Sequence, residues 1–212
     1  MAGTPTVLVV DFGAQYAQLI ARRVREAHVY SELVPYTITA EEVARRDPSA
    51  LIFSGGPKSV NVDHAPMIDP AIYDLGIPIL GICYGAQLIA KQCGGSVGRY
   101  EAGEYGRTDL KVSESGVLLA GQPATQSVWM SHFDAIDGAP DGCAVLASSE
   151  ASPVAAFESK ERGLYGVQYH PEVSHTPEGQ RIIEQFLYEG AGLEPSWTME
   201  NLIDTQVEII RN

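Results

Sequence analysis

Positive charge is scarce in this chain: 14 Lys and Arg stand against 27 Asp and Glu, for a formal net charge of −13. Nucleic-acid surfaces need clustered cations to neutralise phosphates, so no nucleic-acid partner is expected, whereas a small zwitterionic substrate remains open. Long apolar runs are missing too. No stretch reaches the length of a membrane span, and Met1-Ala2-Gly3-Thr4-Pro5 lacks the charged-then-apolar plan of a secretory leader, so no membrane association is expected. Cysteine is limited to Cys83, Cys93 and Cys143, an odd count without close spacing. That reads as a reducing, cytoplasmic chain rather than a disulfide framework. The five histidines (His28, His64, His132, His170, His175) show no C-x-x-C or H-x-x-x-H spacing, so no metal site is expected. Internal repeats and low-complexity tracts are also lacking. What is present is an ordinary globular composition, 45% hydrophobic and 19% charged, in 212 residues that suit one α/β core or two small domains.

The first half alternates short apolar, β-branched runs with helical patterns. Strands are predicted at Thr6–Phe12, Val29–Val34, Ala50–Ser54 and Pro78–Ile82. Helices are predicted at Gln15–Ala27, at Ala40–Arg46 with Thr39 as cap, at Asp69–Leu75, and from Gly85 to near Gly94. This order predicts an α/β fold with a doubly wound, mostly parallel sheet. Its site should lie at the carboxyl ends of the strands, where Gly13, Gly55-Gly56 and Cys83 fall. The second half reads as antiparallel strands added at the edge: Ser96–Arg99, Asp109–Val112, Gln126–Met130, Ala144–Ser149, Val154–Phe157 and Leu164–Val167. A helix at Glu178–Tyr188, with Thr176 as cap and Pro177 in its first turn, follows. An amphipathic segment at Thr198–Ile210 ends the chain, placed to pack back on the domain or to begin an interface.

Two stretches carry chemistry. Gly81-Ile82-Cys83-Tyr84-Gly85 puts a cysteine between two glycines at a strand-to-helix junction. Residue type alone fits a small buried hydrophobe. The bracketing glycines instead fit the cysteine form of a nucleophile elbow, a tight turn that lifts the sulfur above the sheet. There the helix N-terminus favours thiolate and the next residue's N–H can meet an oxyanion. The second stretch is Gln168-Tyr169-His170-Pro171-Glu172. Pro171 biases His170 towards extended backbone, so His170 and Glu172 should share a face. An imidazole oriented by a carboxylate is what a thiol nucleophile requires, and each motif supplies what the other lacks. Activity through such a pair should fall in acid. Gly55-Gly56-Pro57 ends the strand expected beside that of Cys83, and the amides of Gly56 and Tyr84 are the predicted oxyanion donors. Cys93 and Cys143 read as structural.

In this order, Ser54-Gly55-Gly56-Pro57, Gly81-Ile82-Cys83-Tyr84-Gly85-Ala86-Gln87 and Gln168-Tyr169-His170-Pro171-Glu172 resemble the class I (triad) glutamine amidotransferases over nearly the whole chain. Val10-Asp11-Phe12-Gly13-Ala14-Gln15-Tyr16, Glu104-Tyr105-Gly106-Arg107 and Val128-Trp129-Met130-Ser131-His132 narrow the resemblance to the amidotransferase part of the GMP synthases. The resemblance implies a flavodoxin-like amidotransferase domain over 1–192 and a linker over 193–212. It implies hydrolysis of glutamine through a thioester on Cys83, with His170 and Glu172 completing a triad. It places glutamine against Gly55, Gln87, Ser131, His132 and Phe133. The ammonia would go to xanthosine monophosphate in an ATP pyrophosphatase (synthetase) part. No Ser-Gly-Gly-Val-Asp-Ser-like phosphate loop occurs here, so ATP and Mg belong to that part and no cofactor to this one.

Two residues depart from the family pattern. Phe133 stands where glycine is usual, adding bulk near the glutamine site at a position where positive φ would suit glycine; Gly103 stands where arginine is frequent. The chain fits a fragment cut after the linker helix better than a free-standing subunit. An amidotransferase for another acceptor, such as in anthranilate synthesis, and a flavodoxin-like binding domain with a redox-active cysteine are the remaining readings.

Overall fold

The computed structural model describes residues 5–13 and 15–198, with the side chains of 100–102 left aside. Apolar runs that are inaccessible on both faces form the centre of the sheet: β1 (Thr6–Asp11), β3 (Ala50–Phe53) and β4 (Ile79–Ile82). Such burial requires continuous rather than alternating apolar residues. β2 (Tyr30–Pro35) alternates instead, because it is an edge strand. β1 pairs in parallel with β2 and β3, β3 with β4, and β4 with β9 (Leu164–Val167). The sheet continues antiparallel through β8 (Ala156–Ser159), β7 (Ala144–Ser148), β5 (Ser96–Val112) and β6 (Thr125–Gly138). The nine strands run in the order β2-β1-β3-β4-β9-β8-β7-β5-β6, the doubly wound sheet with an antiparallel extension that the sequence predicts, except that Leu164–Val167 is not an added edge strand but extends the parallel part beside β4.

Alternate residues of the strands face two separate cores. Val7 and Val9 pack with Ile20 and Val24 of α1 (Ala17–Glu26) and with Ile182 of α4 (Gly179–Gln185). Leu8 and Val10 pack with Val43 of α2 (Ala40–Arg46), Ile72 of the 3-10 turn Pro70–Leu75, and Leu88 of α3 (Tyr84–Gln92). Thr39 caps α2 as expected, in a reciprocal box: the Glu42 N–H donates to Thr39 Oγ1 (3.2 Å) and the Thr39 N–H to the Glu42 carboxylate (3.1 Å).

Several expectations need correction. Ser96–Arg99 and Asp109–Val112 are two ends of one 17-residue strand, and Gln126–Met130 is the middle of a 14-residue one. The last helix covers the expected span but changes type, α from Gly179 to Gln185 and then a wider π-helical turn over Phe186–Gly190. Thr176 does not cap it; that hydroxyl is used at the candidate site. Residues 193 and 197 make contacts with the domain. The Leu193 N–H donates to Leu187 O (2.9 Å), the Trp197 N–H to His28 O (2.7 Å), and the Trp197 ring contacts Tyr30 at 6.0 Å between centroids. Of the amphipathic segment Thr198–Ile210, all but Thr198 lies outside the described residues. No helix among the described residues is long and apolar enough to cross a membrane.

Candidate active site

β4 ends at Ile82 and α3 begins at Tyr84, so Cys83 alone makes the corner. Its backbone has φ 51° and ψ −105°. A residue with a Cβ adopts such a conformation at a cost of about 1–3 kcal/mol, and only where its surroundings enforce it. Here the Cys83 N–H donates to Val167 O on β9 (2.8 Å) and the Gly85 N–H to Ser54 O just past β3 (3.1 Å). The fit is tight. A Cβ at position 85 would stand 2.6 Å from the Phe53 Cβ and closer still to the Phe53 carbonyl oxygen. Gly85→Ala is therefore expected to destabilise the fold by about 3 kcal/mol, since neither backbone has room to retreat. Urea unfolding measures this, and a loss below about 1 kcal/mol would show that the corner relaxes.

β9 lies beside β4 with Ile82 opposite Val167, so the chain leaving β9 arrives beside the sulfur. His170 Nδ1 is 2.8 Å from Glu172 Oε1 and both residues are buried, while Cys83 is near enough to act on the protonation of the imidazole. His170 and Glu172 share a face as expected, through a turn at 171–172 rather than extended backbone. Burial pushes the His170 pKa down, but the Cys83 sulfur and the Glu172 carboxylate push it up harder, leaving it well above the ordinary imidazole value. The segment is held from several sides. The His170 N–H donates to Trp129 O (3.0 Å), Thr176 Oγ1 donates to His170 O (2.7 Å), and the same oxygen accepts from the Trp129 N–H (3.0 Å). Arg23 Nε donates to Glu172 O (2.9 Å), and the Tyr16 ring lies 5.3 Å from the imidazole.

A cavity of about 370 Å³ opens in front of Cys83. This is at the small end of the roughly 300–1,000 Å³ range of small-molecule sites. Of the residues predicted for the site, Cys83, Gly56, Tyr84, Gln87, Ser131, His132 and Phe133 line it, and His170 and Glu172 do not. Tyr84 occupies the first position of α3, so its N–H has no acceptor within the helix. Gly56 lies flat on that tyrosine, where a Cβ would meet Cγ at 2.9 Å.

Gly55 differs from expectation. It does not line the cavity; its missing side chain makes room for His170 and Cys83, since a Cβ there would be 3.2 Å from His170 Cε1 and 3.9 Å from the Cys83 Cβ. Gln87 also has a more structural task than expected. Its amide nitrogen donates to Asp134 O (2.6 Å) and Gln168 Oε1 (3.3 Å), leaving only its oxygen for a ligand. Phe133 needs no positive φ, because it lies within β6. Its ring meets Tyr105 edge-on at 5.1 Å and lies against Gly103, where a Cβ would stand 2.6 Å from His132 O and 2.9 Å from Phe133 Cδ1.

Gln168, Tyr16, Glu104 and Asp134 carry no site role that the sequence alone assigns, and Thr176 reads there only as a helix cap. Gln168 Nε2 lies 3.8 Å from Cys83 Sγ, and Gln168, Tyr16 and Glu104 all stand inside motifs that carry the resemblance. Cys93 and Cys143 are remote from this chemistry. Burial pushes the Cys143 thiol up to about 11 and the Cys93 thiol up as well, which keeps both protonated and unreactive.

A sheet of this topology with a cysteine elbow backed by an imidazole and a carboxylate defines a thiol-dependent α/β enzyme site. Comparison with known proteins gives the family. The family model for glutamine amidotransferase class-I matches residues 8–189. The GMP synthase [glutamine-hydrolyzing] of Streptomyces avermitilis is 59% identical over 211 residues, 99% of this chain and 40% of that protein. The one from Mycobacterium leprae is 58% identical over 205 residues, 97% of this chain and 39% of that protein. The crystal structure of a GMP synthase subunit from Thermoplasma acidophilum superposes with TM-score 0.81 at 34% identity, covering 91% of this chain and 96% of that one. The chain belongs to the class-I glutamine amidotransferases, and it spans about 40% of the length of the curated relatives it matches.

Proposed function

We propose that this chain is the glutamine-hydrolysing part of a GMP synthase, acting in the cytoplasm and supplying ammonia for the amination of xanthosine monophosphate. The observation that carries this is the buried Cys83, His170 and Glu172 row at the wall of an amino-acid-sized cavity. The Cys83 thiolate attacks the γ-carboxamide carbon of glutamine, and the resulting oxyanion is held by the amides of Gly56 and Tyr84. As the C–N bond breaks, the His170 imidazolium gives its proton to the leaving nitrogen, which departs as ammonia. A water molecule then attacks the thioester, loses a proton to His170 and releases glutamate with the thiolate restored. Glu172 holds the imidazole in one tautomer throughout. None of these steps needs a cofactor. ATP and Mg²⁺ act in the synthetase part, which is the partner this reading requires.

A glutamine-derived electrophile tests the reading. One adduct is expected, on Cys83 and not on Cys93 or Cys143, with free glutamine slowing its formation. Glutamate release should rise when the synthetase part of a GMP synthase, ATP and xanthosine monophosphate are added. Stimulation by an anthranilate synthase partner instead would reassign the acceptor, and absence of the adduct would leave a binding domain.

A further inference from the structure

Beside the sulfur lies a side chain that the reaction just described leaves idle. Gln168, one residue past β9, is fully buried, and its Nε2 lies 3.8 Å from Cys83 Sγ. The backbone fixes this approach. The Cys83 N–H donates to Val167 O (2.8 Å) and the Gln168 N–H to Ala155 O (2.8 Å), so the side chain starts from a set point next to the corner.

The direction of the amide is fixed as well. A main-chain carbonyl can only accept, so the 2.6 Å contact at Asp134 O is made by the nitrogen of Gln87. The same nitrogen donates to Gln168 Oε1 (3.3 Å), which leaves Gln168 Nε2 facing the sulfur. Turned the other way, the two glutamines would set one N–H₂ group against another.

Ser131 O lies 3.9 Å from the same sulfur, and the two neighbours suit different protonation states. The carbonyl can accept from a thiol but repels a thiolate. The amide N–H does the reverse. An N–H···S contact of this length is weak while the sulfur is neutral. It becomes charge-assisted when the sulfur is an anion, the more so in a site closed to water.

We propose that Gln168 is a catalytic residue: it donates Nε2–H to the Cys83 thiolate before the attack and again as the sulfur leaves the thioester, with Gln87 as the positioning residue that aims it. The second of these roles rests on glutamine being the substrate. No atom is transferred to or from the amide, which only stabilises the negative charge that appears on sulfur twice in each turnover.

The test is the pH dependence of Cys83 alkylation by iodoacetamide, followed by peptide mass spectrometry, in the wild type and in Gln168→Met. Methionine keeps the unbranched shape and lacks the donor. The charged and titratable groups around the sulfur are His170 with Glu172 bonded to it, Tyr105 from β5, His132 and Asp134 from β6, and Lys58 and Arg99 along the cavity. The substitution changes none of them. The acid limb of the alkylation rate should move to higher pH by about 1–2 pH units, with the alkaline plateau within about threefold of wild type. Glutamine turnover should lose about tenfold in kcat. Gln168→Asn is one methylene shorter and withdraws the same N–H, so its limb should move in the same direction; it serves if the methionine protein fails to fold. A limb that stays in place or moves to lower pH overturns the inference. So does an equal loss of rate at every pH, which is what a merely misplaced sulfur would give. If the limb moves as expected but the wild type hydrolyses no glutamine, the glutaminase reading fails and the donor to the thiolate stands.

Discussion

Replacing Cys83 with alanine is expected to lower glutamate release by about 10⁴-fold or more while leaving the unfolding midpoint within a few degrees of wild type. The sulfur is the atom that forms the bond, and among the described residues no second nucleophile stands at the corner between β4 and α3. The fold should not suffer. Alanine keeps the Cβ that already tolerates φ 51°, and the sulfur's own contacts are weak, 3.8 Å to Gln168 Nε2 and 3.9 Å to Ser131 O. Glutamate release and thermal unfolding of the same sample measure the two halves. Activity above about a tenth of wild type would mean that another group does the chemistry.

Glu172→Gln is expected to lower kcat by about 10³- to 10⁴-fold, with a smaller change in KM. The carboxylate is fully buried and 2.8 Å from His170 Nδ1, so an amide there can turn its N–H₂ towards the ring and favour the wrong tautomer. The pH profile gives a second readout. Burial depresses the His170 pKa, and Cys83 and Glu172 together raise it well above the ordinary value, so the imidazolium persists through neutral pH in the wild type. Removing the Glu172 charge withdraws part of the upward push. The alkaline limb of kcat/KM, where the imidazolium is lost, should therefore move to lower pH in Glu172→Gln. A limb that stays in place, or moves upward, would show that Glu172 does not control the imidazole.

Much of this architecture is readable before any coordinates. β1, β3 and β4 are continuous apolar runs and read as strands buried on both faces, whereas β9, equally buried, is lost among the short strands around it. The elbow is legible because the glycines at 81 and 85 have no other reason to bracket a cysteine. The extent of β6 is hidden for a physical reason. Its buried positions past Met130 hold His132 and Asp134, so the site's own polar residues interrupt the apolar pattern that marks a strand. Thr176 misleads in the same way. A threonine before a proline and a helix is an N-cap by sequence, but its hydroxyl is taken by His170 O and the Trp129 N–H. Glu104 illustrates the same limit: its partners, His132 on β6 and Ser149 and Ala151 in the turn after β7, lie on two segments far from it in sequence.

The positive φ at the corner has a consequence for how this chain can vary. Glycine would occupy position 83 without backbone penalty, so the local conformational preference and the reaction pull the position in opposite directions. Selection for robustness alone would drift towards an inert protein, and the thiol persists only while turnover itself is under selection.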